Sequence, residues 1–185
     1  MKKTILSMAV CLLGVTALQA QVGQTFPDLK AETAEGKTLQ LPAAAKGKFT
    51  LLGLASSTRS EKALQSWFEP VYTRFMDDRS NAGLFADFAY DVNVYFVPMF
   101  TGANKVAAGP ARKKMLKEVD ADLHKHVLFY VGELGLYENQ LGMTNKDEPY
   151  FFVLDESGKI VYATRGAYSE KKMEQVEDIL SEDDW

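Results

Sequence analysis

Hydrophobic positions along the chain change period, which predicts strands that alternate with helices. Residues 48–56 are nearly continuous in apolar side chains, as in a strand buried on both faces. The next apolar stripe has helical spacing and consists of Leu64, Trp67, Phe68, Val71 and Phe75. Pro70 falls inside this stripe and is predicted to kink or interrupt the helix. We therefore predict a first central strand followed by a helix that packs on the sheet.

The second half of the chain repeats this order of strand and helix. Its predicted elements are strands over 92–97 and 126–131, helices from Pro110 and over 136–141, a hairpin of 150–154 with 159–164, and a last helix capped by Ser169. Strands that alternate with helices imply a mixed sheet covered on both sides. The predicted fold class is α/β, with a mixed central sheet flanked by helices on both faces.

The first 20 residues have the pattern of an export signal. Lys2 and Lys3 form a basic start, residues 5–17 an apolar stretch, and residues 18–20 a cleavage site of small residues. The apolar stretch is shorter than the roughly 20 residues that a bilayer span needs. We therefore predict cleavage after Ala20, no membrane span, a periplasmic or secreted protein, and a single domain over residues 21–185.

Cys11 is the only cysteine, and it lies inside this predicted signal. The residues before it are a poor lipoprotein cleavage box, which disfavours a lipid anchor. Cleavage after Ala20 would leave no thiol, and it would remove two lysines but no acidic residue, so the net charge would fall from −4 to −6. An acidic surface argues against nucleic acid and anionic membranes as partners.

Two segments of the chain resemble the thioredoxin superfamily, especially its peroxiredoxin-like and exported thiol-oxidoreductase-like branches. Residues 22–29, Val-Gly-Gln-Thr-Phe-Pro-Asp-Leu, are similar to the usual opening of those branches, and residues 149–160 are similar to their closing hairpin. The resemblance implies a thioredoxin-like fold. It also implies a cis peptide bond between Glu148 and Pro149, because the family has a cis proline before this hairpin.

The redox site of that family lies where the first central strand meets the first helix, since a helix N-terminus stabilises a thiolate. Here the junction reads Ser57, Thr58, Arg59, Ser60 and Glu61. The resemblance places Thr58 and Glu61 at the two cysteine positions, and neither can form a disulfide. Their spacing fits a helix-capping box instead. We predict neither thiol-disulfide exchange nor peroxidase activity, and no cofactor.

His124 and His126 raise the question of a metal site. Residues i and i+2 of a strand share a face, so the two imidazoles would share an ion with a carboxylate such as Asp120 or Asp122. Two histidines make an incomplete site, and the pattern favours two ordinary polar residues with no metal. A metal- or hydroxyl-dependent enzyme would need one of these histidines near Thr58 or Glu61.

The last third of the chain is also similar to the mitochondrial assembly factor that chaperones a membrane subunit of ATP synthase. The similar segments are residues 127–131, 141–146 and 150–160, followed by Gly166-Ala167 and a helix that carries glutamates. That family is itself thioredoxin-like and works without redox catalysis. The similarity favours a binding or chaperone role.

The function predicted from these patterns is redox-free binding of a protein or peptide. In this fold a groove between the helix start and the loop before the proline presents backbone groups to an extended segment. Residues 57–60 would form one wall and Glu148 with Pro149 the other, with Trp67 or Tyr150 adding an aromatic contact. Two alternatives stay open: a metal- or hydroxyl-dependent enzyme at the same groove, and a homo-oligomeric or small-ligand-binding domain.

Overall fold

The computed structural model describes residues 20–76 and 90–181. Residues 1–19 of the predicted export signal, Cys11 among them, lie outside this part of the chain. The elements in chain order are β1 (Leu29–Glu32), β2 (Thr38–Leu41), β3 (Phe49–Ala55), α1 (Thr58–Gln65), α2 (Phe68–Phe75), β4 (Val92–Thr101), α3 (Ala108–Glu118), α4 (Ala121–His124), β5 (Tyr130–Gly132), α5 (Gly135–Leu141), β6 (Tyr150–Leu154), β7 (Ile160–Arg165) and α6 (Glu170–Ser181).

Five strands form one mixed sheet in the order β5-β4-β3-β6-β7. β4 is parallel to both β3 and β5, whereas β6 is antiparallel to β3 and β7. β1 and β2 form a separate antiparallel hairpin, and a bridge between Glu32 and Phe129 ties it to the main sheet near β5. The predicted α/β class, with a mixed sheet flanked by helices, is confirmed.

Apolar side chains pack against both faces of the sheet. One core holds the β1–β2 hairpin and α5 against the sheet through residues such as Leu29, Leu41 and Leu141. The other core holds α1, α2 and α6 through residues that include Leu64 and Met173. The strand β3 is buried along almost its whole length because it contributes to both cores, as its continuous apolar run predicts.

The helix predicted after β3, with a kink or interruption at Pro70, is two helices. α1 ends at Gln65 and α2 begins at Phe68, so Pro70 lies in the first turn of α2. The missing N–H of proline breaks no intrahelical hydrogen bond in a first turn, which is why proline is tolerated there. The break before Pro70 separates the two helices that border the candidate site described below.

The predicted cis bond between Glu148 and Pro149 is wrong. Within the described residues, the cis peptide bond is Leu41–Pro42, and Glu148–Pro149 is trans. The trans isomer is the more stable one for an X-Pro bond unless its surroundings select cis. Here the preceding loop is held by other contacts, since the N–H of Asn145 donates to Tyr150 Oη at 2.9 Å and the Pro149 carbonyl accepts from Gly166 N–H at 2.9 Å.

Gly53 allows the helix layer to lie close to the middle of β3. A Cβ atom at this position would lie 2.6 Å from Phe151 Cε1 and 2.8 Å from Leu64 Cδ1. We expect Gly53→Ala to lower the free energy of unfolding by about 1–3 kcal/mol, because a well-packed core resists an added methyl group. Chemical denaturation would measure the change. Gly109→Ala is the control, because no heavy atom lies within 4 Å of the added methyl group there, and an equal loss in both variants would contradict the prediction.

Candidate functional site

The start of α1 is closed by a capping box made of two serines. Ser57 is the N-cap residue in extended conformation, and its Oγ accepts from Ser60 N–H at 3.1 Å. Ser60 Oγ accepts in return from Ser57 N–H at 2.9 Å. The capping box predicted at Thr58 and Glu61 is therefore wrong by one residue, because Ser57 is the last extended residue and Thr58 is already helical.

Both serine hydroxyls of the box are fully engaged. Ser60 is completely buried, and its Oγ also accepts from Ser56 N–H at 3.0 Å and donates to Ser57 O at 3.0 Å. Ser57 Oγ donates to the carbonyl of Lys146 at 2.7 Å. A serine nucleophile needs an adjacent base. In the described part of the chain, neither hydroxyl bonds to a histidine or a carboxylate, so the arrangement is that of a structural cap.

The helix start and the loop before Pro149 contact each other directly. Besides the hydrogen bond from Ser57 to Lys146, Arg59 Nη1 lies 2.8 Å from Asp147 Oδ2. This ion pair is exposed at both ends, so its contribution to stability is small. The position of the ion pair is more informative than its energy. Together with the hydrogen bond from Ser57, it bridges the two predicted walls of the groove, residues 57–60 and Glu148–Pro149.

The predicted aromatic contacts of that groove are also wrong. Trp67 and Tyr150 are both fully buried. The Trp67 ring stacks on Phe151 with a centroid distance of 4.1 Å, and its Nε1–H donates to the Gly166 carbonyl at 3.1 Å. Tyr150 Oη accepts from the backbone of Asn145. Helical spacing and strand position put these rings in the core, where a partner does not reach them.

A large groove lies instead between the pair α1–α2 and α3, and we call it the lateral groove. Its volume is about 720 Å³, and it is open to solvent. It begins at the helix start, beside Ser57 and Thr58. Other residues that line it include Glu61, Leu64, Phe68, Glu69, Tyr72 and Met76 from α1–α2, Lys114, Met115, Glu118 and Val119 from α3 and its end, and Phe96, Pro98, Phe100, His126, Val127 and Phe129.

The lining of the lateral groove is mainly apolar. Three of its large side chains, Phe68, Tyr72 and Val119, are each 38% exposed, although apolar residues of this size are usually more buried. Phe68 packs on Phe96 with a ring-centroid distance of 4.4 Å. A concave apolar surface of this kind is typical of a site for another molecule.

Glu61 is a carboxylate in this apolar lining. It is half-buried, and burial raises its pKa above the ordinary value of 4.5. Within residues 20–76 and 90–181 it has no salt-bridge partner. Lys114 and Glu118 on the facing wall lie 3.8 Å apart and pair with each other. Partial burial therefore makes the ionised form of Glu61 less favourable in free energy, and the side chain lines a groove that is open to a ligand.

His124 and His126 do not form a common site. His124 is buried at the end of α4, with Nδ1 at 3.1 Å from Glu35 Oε1 and Nε2 at 2.9 Å from the Val119 carbonyl. His126 Nδ1 lies 2.9 Å from the Val94 carbonyl, and burial lowers its pKa. The predicted shared strand face is wrong, because β5 begins only at Tyr130 and His124 is helical. Among the described residues, no group of three or more His, Asp or Glu side chains is placed to hold a metal ion.

Sequence reasoning missed the lateral groove. The helix predicted from Pro110 carries apolar residues at helical spacing, Met115, Leu116, Val119 and Leu123, which indicates one core-facing side. In the structure Leu116 is 46% exposed and Val119 borders the groove. The available signal was that α3 has more apolar positions than one core-facing side of a helix needs. It could not show that α3 and α2 stay apart and leave the surface between them uncovered.

Comparison with known proteins identifies the fold and the family. The model of the family described as ATP10 protein matches residues 15–182. No curated protein sequence matches the chain. In the part of the chain that the structure describes, no helix is both long and apolar enough to cross a bilayer.

Several solved structures are similar over most of the chain. A putative thiol:disulfide interchange protein DsbE from Chlorobium tepidum has a TM-score of 0.56 and 14% identity, covering 86% of this chain and 98% of that one. A putative protein disulfide isomerase from Bacteroides thetaiotaomicron has a TM-score of 0.54 and 17% identity, with 85% and 87% covered. The exposed lipoprotein thioredoxin of Streptococcus pneumoniae has a TM-score of 0.52 and 18% identity, with 83% and 99% covered. At this identity they show the fold alone, and the predicted thioredoxin-like fold is confirmed.

Proposed function

The chain belongs to the ATP10 protein family, and we propose that it is an assembly factor that holds an apolar segment of a partner polypeptide in the lateral groove without thiol chemistry. The observation that carries this proposal is the groove itself. Its volume is about 720 Å³ and its lining is mainly apolar. Hydration of such a surface is unfavourable, and binding of an apolar segment would remove the surface from water.

The chemistry of the helix start supports a role without redox catalysis. The chain has one cysteine, Cys11, so it cannot form a dithiol site. Ser57 and Ser60 are committed to the cap of α1, and Arg59 pairs with Asp147. These contacts bridge the helix start and the loop before Pro149, and the lateral groove is an apolar surface open to solvent next to the same helix.

We further propose that the protein acts after export and cleavage at Ala20. The support is the basic, apolar and small-residue pattern of the N-terminus. The alternative of a hydroxyl enzyme gains no support from the engaged serines of the cap. The homo-oligomeric alternative stays a prediction.

A binding measurement with purified protein tests the proposed function. The probe is a short fluorescent leucine–alanine peptide with neutral ethylene-glycol tags for solubility, and the readout is anisotropy. We expect saturable binding in the micromolar range, because burial of a few apolar side chains offsets the cost of association only modestly. A serine–glutamine peptide of the same length is the control. Absence of saturable binding, or equal binding of both peptides, would overturn the proposal.

A further inference from the structure

Glu61 is the starting point for an inference about what the lateral groove selects. Its side chain lines the groove on the α1 wall, next to Leu64 and Phe68. It is half-buried, and in the described part of the chain no cation neutralises it. A carboxylate that loses hydration without a partner is held at a cost in free energy, and such groups concentrate where a ligand supplies the missing contact.

The other charged side chains of the groove add to the negative charge of Glu61. Its remaining charged side chains are Glu69 on α2, and Lys114 and Glu118 on α3. Lys114 lies 3.8 Å from Glu118, one turn along the same helix, so its charge is balanced by that carboxylate and the two other glutamates of the groove are in excess. The groove therefore presents an apolar lining with an excess of negative charge. An occupant with complementary chemistry is apolar and carries a positive charge.

We propose that the lateral groove selects apolar polypeptide segments that carry a lysine or arginine side chain, and that Glu61 is the specificity-determining residue that pairs with this cation. The inference rests on the proposed function, since it assumes that the groove binds an apolar segment. The apolar part of the segment would cover Phe68, Tyr72 and Val119 and exclude water from the ion pair. An ion pair shielded in this way discriminates against partners that lack the charge more strongly than an exposed pair does.

A pair of peptides that differ at one position tests the inference. Both are leucine–alanine peptides with neutral tags, one with a central lysine and the other with a central norleucine, which lacks only the amine. We expect the native protein to bind the lysine peptide at least about tenfold more tightly. We expect Glu61→Gln to reduce this preference to less than about threefold, because it removes the ion pair with the lysine peptide and also removes the cost of burying an unpartnered carboxylate under the norleucine peptide. Glu174→Gln, on the exposed surface of α6, is the matched control and should keep the preference.

The possible outcomes separate the two proposals. Equal binding of both peptides by the native protein, or an unchanged preference in Glu61→Gln, overturns the selectivity and leaves groove binding in place. Saturable binding of neither peptide overturns the proposed function, and the inference falls with it.

A stability measurement tests whether the Glu61→Gln variant stays folded, so that a change in its peptide preference is not an effect of misfolding. Because burial raises the pKa of Glu61, the folded state binds its proton more tightly than the unfolded state does. The contribution of Glu61 to stability is therefore largest below its ordinary pKa and is lost as the pH rises through the folded value. We expect Glu61→Gln to be more stable than the native protein at pH 7, with the difference shrinking below about pH 4. A destabilised Glu61→Gln variant at pH 7 would contradict this account of the side chain.

Discussion

Replacement of Trp67 by alanine is expected to lower the free energy of unfolding by about 3–5 kcal/mol, a large part of the stability of a domain of this size. Trp67 is completely buried at the junction of α1 and α2. Its ring stacks on Phe151 of β6 at 4.1 Å and meets the Tyr168 ring edge-on at 5.5 Å. Its Nε1–H donates to Gly166 at 3.1 Å, just after β7. Alanine would leave a cavity and an unpartnered carbonyl at the same time.

Two further variants separate these two costs. Trp67→Phe keeps an aromatic ring but leaves the Gly166 carbonyl without its donor, so we expect an intermediate loss of about 1–3 kcal/mol. Phe68→Ala removes the neighbouring aromatic ring, which is 38% exposed in the lateral groove, and we expect a clearly smaller loss than for Trp67→Ala. Urea denaturation followed by circular dichroism measures all three. Equal losses for Trp67→Ala and Phe68→Ala would show that Trp67 is not a core anchor.

Charges placed on the two walls of the lateral groove are expected to weaken binding of the neutral leucine–alanine peptide at least about tenfold, which corresponds to about 1.4 kcal/mol. The variants are Tyr72→Glu on α2 and Val119→Glu at the end of α3. Each native side chain is 38% exposed, so the new carboxylate remains hydrated in the free protein and the fold is retained. An apolar peptide in the groove would remove that hydration without supplying a partner.

The matched control for these variants is Leu136→Glu. Leu136 lies on α5, is 44% exposed and does not line the lateral groove. We expect it to change the dissociation constant by less than about twofold. Anisotropy titration of the same labelled peptide measures the three variants side by side. Native-like binding by Tyr72→Glu and Val119→Glu would contradict the placement of the site, and an equal loss in Leu136→Glu would show a general effect of charge.

The order of strands and helices could be predicted because the signals are local. The apolar run before Ser57 gives β3, and the turn at 155–158 between two apolar runs gives the β6–β7 hairpin. Boundaries were less accurate. The capping box lies at Ser57 and Ser60 and not at Thr58 and Glu61. Both pairs have a hydroxyl residue followed three positions later by a polar residue, so the sequence alone does not distinguish them.

The candidate site could be predicted only in part. The helix start after β3 does border the lateral groove, and Thr58 and Glu61 line it. The opposite wall was predicted in the loop before Pro149, but Ser57 and Arg59 contact that loop directly, through residues almost ninety positions away. Local periodicity carries no information about such contacts. It therefore could not show that the accessible surface faces α3.

By itself the sequence determined the α/β order of elements, the lack of a dithiol and the family to which the chain belongs. The tertiary structure alone decided which apolar side chains are core and which are surface. Trp67 and Phe68 are neighbours in one stripe, yet the first is buried against Phe151 and the second lines the lateral groove. The physical reason is that the hydrophobic effect is non-directional: it favours burial of any apolar surface. The packing of distant elements therefore decides which apolar surface stays exposed.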